Sequence, residues 1–236
     1  MPIQYILTDI EGTTTSVSFV YEVLFPYFEK NLPKFLEQNQ QNSLVQACLQ
    51  EVQRTVEQEQ NLTTNFRLED ALHTLLQWTR QDRKHTALKT LQGILWELGY
   101  QKGEIKGHIY EEVPTYLAQW HKAGIRLGIY SSGSVKAQKL LFGTSIFGDL
   151  TPYFSHYFDT NIGQKKASES YKNIQNILEL PASQILFLSD VVAELDAAKL
   201  CGFQTIQLVR NGHIQANPKH PIATNFAEVN QIMLQM

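Results

Sequence analysis

Several chemistries are all but absent from this sequence. It has only two cysteines in 236 residues, Cys48 and Cys201, far apart and without C-x-x-C spacing. That argues against a disulfide framework and suits two small buried hydrophobes in a reducing compartment. Seven histidines form no H-x-x-x-H or H-E-x-x-H pair, so a zinc site is not expected. No apolar run reaches the ~18 residues of a membrane span, and the N-terminus has no charged-then-apolar leader. Basic charge is short too: 20 Lys+Arg against 23 Asp+Glu give net −3, which is no footprint for nucleic acid. The expectation is a cytoplasmic protein. With 43% hydrophobic residues, a chain of this length can bury one sizeable core, or a core plus a smaller insert.

What is present is concentrated first in residues 3–16, I-Q-Y-I-L-T-D-I-E-G-T-T-T-S. Ile3, Tyr5, Ile6 and Leu7 form a short run of β-formers that suits a buried strand. The run stops on Asp9, and Glu11, Gly12, Thr13, Thr14, Thr15 and Ser16 follow. Two carboxylates at the exit of a buried strand are costly unless a cation meets them. Glycine followed by small hydroxyl residues exposes backbone N–H groups that suit a phosphate. Alone, the string would serve equally as an acidic helix-capping turn.

Residues 17–36 repeat apolar side chains at helical spacing (Val20, Val23, Leu24, Tyr27, Phe28, Leu32, Phe35), and Pro26 and Pro33 are expected to kink or divide them. Residues 37–61 are rich in Gln and Asn but keep a stripe of Leu44, Ala47, Cys48, Val52 and Val56, which reads as a polar-faced helix. Two more amphipathic helices span 68–79 and 86–98, the second expected to stop at Gly99. Between them Arg80, Arg83 and Lys84, with Lys89 a turn later, form a basic cluster. It is either a solvated face or a surface held over an anionic ligand.

The pattern changes near residue 107. A helix over 113–121, ended by Gly124, precedes a strand over 125–130 that runs into Ser131, Ser132, Gly133 and Ser134. Hydroxyls and glycine at a helix N-terminus form an anion-binding arrangement, since free N–H groups and the helix dipole face the same point. They also make an ordinary N-cap. A short strand at 156–158 leads to G-Q-K-K at 163–166, and a helix over 171–180 stops at Pro181. The clearest buried strand, I-L-F-L at 185–188, ends in Ser189 and Asp190, with Glu194 and Asp196 on the helix that follows. Gly202 ends that helix, 205–209 is another strand, and 211–236 closes with an amphipathic turn or two. Alternating strands and helices specify a Rossmann-like, doubly wound parallel sheet. The strand at 3–8 belongs to it, because an isolated strand is unstable. The expected organisation is an α/β core from residues 1–17 and 107–236, with an all-helical insert at 18–106.

Four strand ends thus deliver Asp9 and Glu11, then Ser131 and Ser132, then Lys165 or Lys166, then Asp190. This ordered set resembles the four motifs of the haloacid dehalogenase-like phosphohydrolases. Longer strings narrow it: D-I-E-G-T-T at 9–14, D-R-K-x-T-A-L-K-x-L-Q-G at 82–93, K-G-H-I-Y at 106–110, I-Y-S-S-G-S-V at 129–135 and F-L-S-D-V-x-x-E-L-D-A-A at 187–198. Together they resemble the enolase-phosphatases of methionine salvage (acireductone synthases) over nearly the whole chain.

The resemblance implies a Mg2+-dependent hydrolase whose helical insert is a cap. Asp9 would be the nucleophile, forming an aspartyl-phosphate that water hydrolyses. Asp9, Asp190 and a phosphate dianion repel by roughly 4 kcal/mol per pair at ~4 Å and an effective dielectric near 20. One Mg2+ per chain, held by Asp9, Asp190 and Glu11 (by its side chain or its backbone carbonyl), would relieve this. Ser131, Ser132 and Lys165 would hold the phosphate. Lys165 matches the family's G-x-K order, whereas Lys166 falls where the pattern is apolar. Glu194 would stand behind the direct contacts. The implied reaction is enolisation of 2,3-diketo-5-methylthiopentyl 1-phosphate and its dephosphorylation to the acireductone 1,2-dihydroxy-3-keto-5-methylthiopentene. The implied protein is a monomer acting on a small phosphorylated diketone, with no nucleic-acid or membrane partner. Most phosphatases of the wider superfamily carry Asp where Glu11 stands; Glu matches the enolase-phosphatases but leaves the leaving group's proton donor open. The enolisation base is open among Lys165, Glu11 and a cap residue. Rival readings are a phosphatase or phosphomutase for another small phosphate ester, and a receiver-type phospho-accepting module. The long helical insert argues against the receiver.

Overall fold

The computed structural model describes residues 2–61, 65–212 and 217–236. Its chain divides into two compact units, residues 1–17 with 106–236, and residues 18–105. Of the expected 211–236 tail, residues 213–216 lie outside the described residues. No described helix is long and apolar enough to cross a membrane.

The 18–105 unit is helical. A π-helical turn, Val20–Leu24, runs directly into α1 (Phe25–Gln38). Pro26 lies in the first turn of α1, where a missing N–H costs little. Pro33 lies inside α1, which runs on past it, so of the two expected outcomes, a kink or a division, there is no division at Pro33. Buried Phe28, Leu32, Phe35 and Leu36 outweigh the one backbone hydrogen bond that proline removes. The polar stretch after residue 37 is broken before α2 (Ser43–Gln60), which Asn42 caps by accepting the N–H groups of Leu44 and Val45 at 3.0 and 3.2 Å.

Next come α3 (Leu68–Arg80) and α4 (Thr86–Gln101). The expected stop at Gly99 is wrong: Tyr100, only 6% exposed, carries the apolar stripe onward, and the helix ends before Gly103 (φ +70°). Leu32, Val52, Leu75, Trp78 and Leu91 lie in a shared core. The basic cluster is committed inside this unit. Arg80 pairs with Glu29, Arg83 pairs with Glu59 and covers the Trp78 ring, and Lys84 pairs with Asp82.

The other unit is the doubly wound sheet. Its strands are β1 (Tyr5–Thr8), β2 (Arg126–Tyr130), β3 (Phe154–Phe158), β4 (Ile185–Ser189), β5 (Gln204–Leu208) and β6 (Ile222–Ala223). They are all parallel, in the order β3-β2-β1-β4-β5-β6. The helices are α5 (Val113–Lys122), α6 (Val135–Gly143), α7 (Ser168–Leu178), α8 (Val192–Leu200) and α9 (Phe226–Met233). β1 is fully buried (Tyr5, Ile6, Leu7, Thr8), as is β4, which is why their sequences are near-continuous apolar runs and not alternating ones. β6 escapes sequence reading because two residues carry no periodicity. Tyr5, Leu7, Tyr171, Ile174, Phe187, Leu195 and Phe203 pack in one core. Cys201 is half-buried instead of buried, and its thiol lies 2.8 Å from the Ser168 carbonyl.

Candidate active site

In this strand order β1 and β4 are neighbours at the topological switch point, where open parallel sheets bind ligands beyond the strand C-termini. Thr8 is level with Ile129 on β2 and with Leu188 on β4. Asp9, Ser131 and Asp190 therefore leave the sheet at one edge. The Asp9 amide continues the ladder by donating to the Leu188 carbonyl at 2.9 Å.

A tight turn follows Asp9. The Ile10 carbonyl accepts the N–H groups of Thr13, Thr14 and Thr15 at 3.2, 2.9 and 3.0 Å, and Gly12 N–H donates to the Thr15 carbonyl at 2.8 Å. The Thr8 and Thr14 hydroxyls donate to the Asp9 carbonyl. Gly12 has φ +69°, and a Cβ there would lie 2.3 Å from Asp190 Oδ2. Only glycine serves both the left-handed backbone and the carboxylate against it.

Asp9 does not stand alone. Lys165 Nζ lies 2.6 Å from Asp9 Oδ1 and 2.7 Å from Glu194 Oε2, and all three side chains are at least nine-tenths buried. The Ser189 hydroxyl donates to Glu194 Oε2 at 3.0 Å. Burial works against the lysine's charge, but Asp9 and Glu194 outweigh it, and the ammonium is held above its ordinary pKa. The loop that presents it is pinned by two buried tyrosines. Tyr171 donates to the Lys165 carbonyl at 2.6 Å and Tyr130 to the Gly163 carbonyl at 2.9 Å, with their rings edge to face.

Of the residues singled out by sequence, Asp9, Lys165 and Asp190 converge, and Ser131 is buried at the same edge. Ser131 Oγ accepts the Gly133 N–H at 3.2 Å, and its amide donates to the Phe158 carbonyl. Ser132 is exposed beside it. Lys165 is buried against Asp9, while Lys166 is exposed. The Glu11 backbone bridges to Thr15 within the turn, while its side chain is exposed. Glu194 touches Lys165 and, through it, stands behind Asp9, as the sequence placed it. Tyr130 and Tyr171 were missed because nothing in the sequence distinguishes a pinning hydroxyl from a core aromatic.

The edge is short of positive charge. Burial, then Asp9, push the Asp190 carboxyl up to about 6, and Lys165 offsets this only in part. No three His, Cys, Asp or Glu residues form a ready metal cage among the described residues. Two carboxylates with open positions instead suit a hard dication that keeps waters and takes substrate oxygens.

A family model described as haloacid dehalogenase-like hydrolase matches residues 3–202. The enolase-phosphatase E1 of Picosynechococcus sp. is 50% identical over 230 residues, 98% of this chain and 99% of that protein. The enolase-phosphatase E1 of Pseudomonas fluorescens is 51% identical over 212 residues, 90% of this chain and 91% of that protein. Among solved structures, the UTR4 protein of Saccharomyces cerevisiae is 36% identical with a TM-score of 0.75, covering 95% of this chain and 98% of that one.

Proposed function

The chain belongs to the enolase-phosphatase E1 family of haloacid dehalogenase-like hydrolases, and on that footing we propose the reaction and the role of each site residue. The substrate is 2,3-diketo-5-methylthiopentyl 1-phosphate, which is enolised and then dephosphorylated to the acireductone in methionine salvage. The observation that carries the assignment is the buried Asp9–Lys165–Glu194 cluster beside Asp190 at the switch-point edge. It combines a nucleophile, a fixed cation and a second carboxylate in one place.

Asp9 attacks phosphorus, its P–O bond forming as the bond to the enol oxygen breaks, and water then hydrolyses the aspartyl-phosphate. Lys165 neutralises charge on the transferred group, and the hydroxyls and N–H groups of Ser131 and Ser132 hold its oxygens. Haloacid dehalogenase-like phosphatases generally use Mg2+, and Asp9, Asp190 and the Glu11 carbonyl are the groups that would hold one ion here. When bound, it offsets the repulsion between these carboxylates and the phosphate and polarises the substrate oxygens. The helical unit, residues 18–105, serves as the cap that selects the substrate. We take the protein to act as a cytoplasmic monomer. A receiver module has no use for so large an insert, and relatives near 50% identity over the full length point to turnover.

The test is to mix purified protein with the diketone phosphate and follow ultraviolet absorbance and phosphate release together. A conjugated species followed by phosphate is expected with Mg2+, and neither with EDTA. Hydrolysis of simple aryl phosphates without turnover of the diketone would refute the assignment.

A further inference from the structure

Behind the Asp9–Thr15 turn lies a cation that the chemistry above does not use. Arg210 follows β5, and its side chain is only 7% exposed. Its Nε and Nη2 both donate to the Thr13 carbonyl, its Nη1 to Glu112 Oε1 and, at 3.3 Å, to the Thr224 carbonyl. The guanidinium lies 4.1 Å over the Tyr110 ring and 5.3 Å from that of Phe226. Four of its five N–H donors are thus engaged internally. It is not a clamp for a substrate phosphate.

We propose that Arg210, with Glu112 as its counter-ion, is a positioning residue that fixes the Gly12–Thr15 turn and through it the metal and phosphate site. The coupling is geometric. The Thr13 carbonyl is the turn's point of attachment to Arg210. One residue earlier, Gly12 leaves no room for a Cβ beside Asp190 Oδ2, so a small movement of the turn is a movement against Asp190. The Glu11 carbonyl, assigned above to the ion, sits in the same turn. Two charge-assisted bonds to one carbonyl, from a planar group stacked on rings, fix direction as well as distance. A lysine offers no such fork. The plainer alternative is that Arg210 merely fastens the C-terminal segment, since it also reaches Thr224 and Phe226.

This inference rests on the metal reading above, and the experiment separates the two. Mg2+ affinity is measured by calorimetry on wild type, Arg210→Lys, Glu112→Gln and a control, Asn230→Ala. Asn230 Oδ1 accepts the Trp120 indole N–H at 2.9 Å, so the control loosens α9 without touching Arg210. Arg210→Lys is expected to weaken Mg2+ binding about 10–100-fold, the range seen when partners that orient metal ligands are removed, and to lower kcat more than it raises KM. Glu112→Gln keeps an acceptor and should shift affinity the same way by less, which covers the case in which Arg210→Lys does not fold. Asn230→Ala should lower Tm with wild-type Mg2+ affinity. Wild-type affinity in folded Arg210→Lys and Glu112→Gln would overturn the inference, as would an equal loss in Asn230→Ala. No Mg2+ binding by wild type would refute the metal reading itself and the inference with it.

Discussion

Asp9→Asn should enolise its substrate and then stall. The amide has no charge with which to attack phosphorus, and losing a nucleophile in hydrolases that work through a covalent intermediate costs about 10⁴-fold or more. Proton abstraction beside the carbonyl needs no attack on phosphorus, so that half-reaction should survive. The fold should survive as well, because Lys165 keeps its 2.7 Å partner Glu194 and asparagine retains the shape and one oxygen. The expected result at high Mg2+ is a conjugated enol phosphate that accumulates in the ultraviolet without phosphate release. Near-normal phosphate release would remove Asp9 as nucleophile. A variant that binds Mg2+ and substrate but never forms the conjugated species would mean that Asp9 also acts in enolisation.

Asp190→Asn should abolish metal binding and yet stabilise the metal-free protein. Loss of a direct ligand should cost more than the roughly 10–100-fold seen for outer partners. The stability effect follows from the sign of the pKa shift. Burial and the Asp9 charge raise Asp190 to about 6 in the fold, above the ~3.9 of an unfolded aspartate. The fold therefore binds that proton more tightly than the unfolded chain does. The charged form costs nothing below the unfolded value; the cost grows as pH rises between the two values and is complete above about 6. In EDTA, Asp190→Asn should melt higher than wild type at pH 8, with the difference gone near pH 3.5. In Mg2+ the order should reverse, since only wild type gains from binding. Wild-type Mg2+ affinity in the variant would exclude Asp190 as a ligand. The same competition with a proton should weaken Mg2+ binding to wild type as pH falls below about 6.

The sequence exposes this site well because its main groups terminate buried strands. Asp9 and Asp190 each end an apolar run, and Ser131 directly follows Tyr130, so strand order alone brings them to one edge. Lys165 was legible as one of two lysines, and burial distinguishes it from Lys166. What escaped depends on distances between elements. Nothing in F-L-S-D-V-x-x-E states that Glu194 reaches a lysine on another loop, and nothing near residue 210 states that an arginine grips Thr13. In the helical unit a local rule failed where packing overrode it: α4 runs through Gly99 because Tyr100 is buried.

The most direct measurement is chemical trapping of the phosphoryl group during turnover. Wild type turning over the diketone phosphate with Mg2+ is quenched in borohydride, which reduces an acyl phosphate to an alcohol, and the peptide spanning residues 1–30 is sequenced by mass. Reduction at Asp9 alone is expected, absent from the Asp9→Asn variant and from wild type held in EDTA. Reduction at any other carboxylate, or none while phosphate accumulates, would contradict the assignment of Asp9 as the group that carries the phosphate.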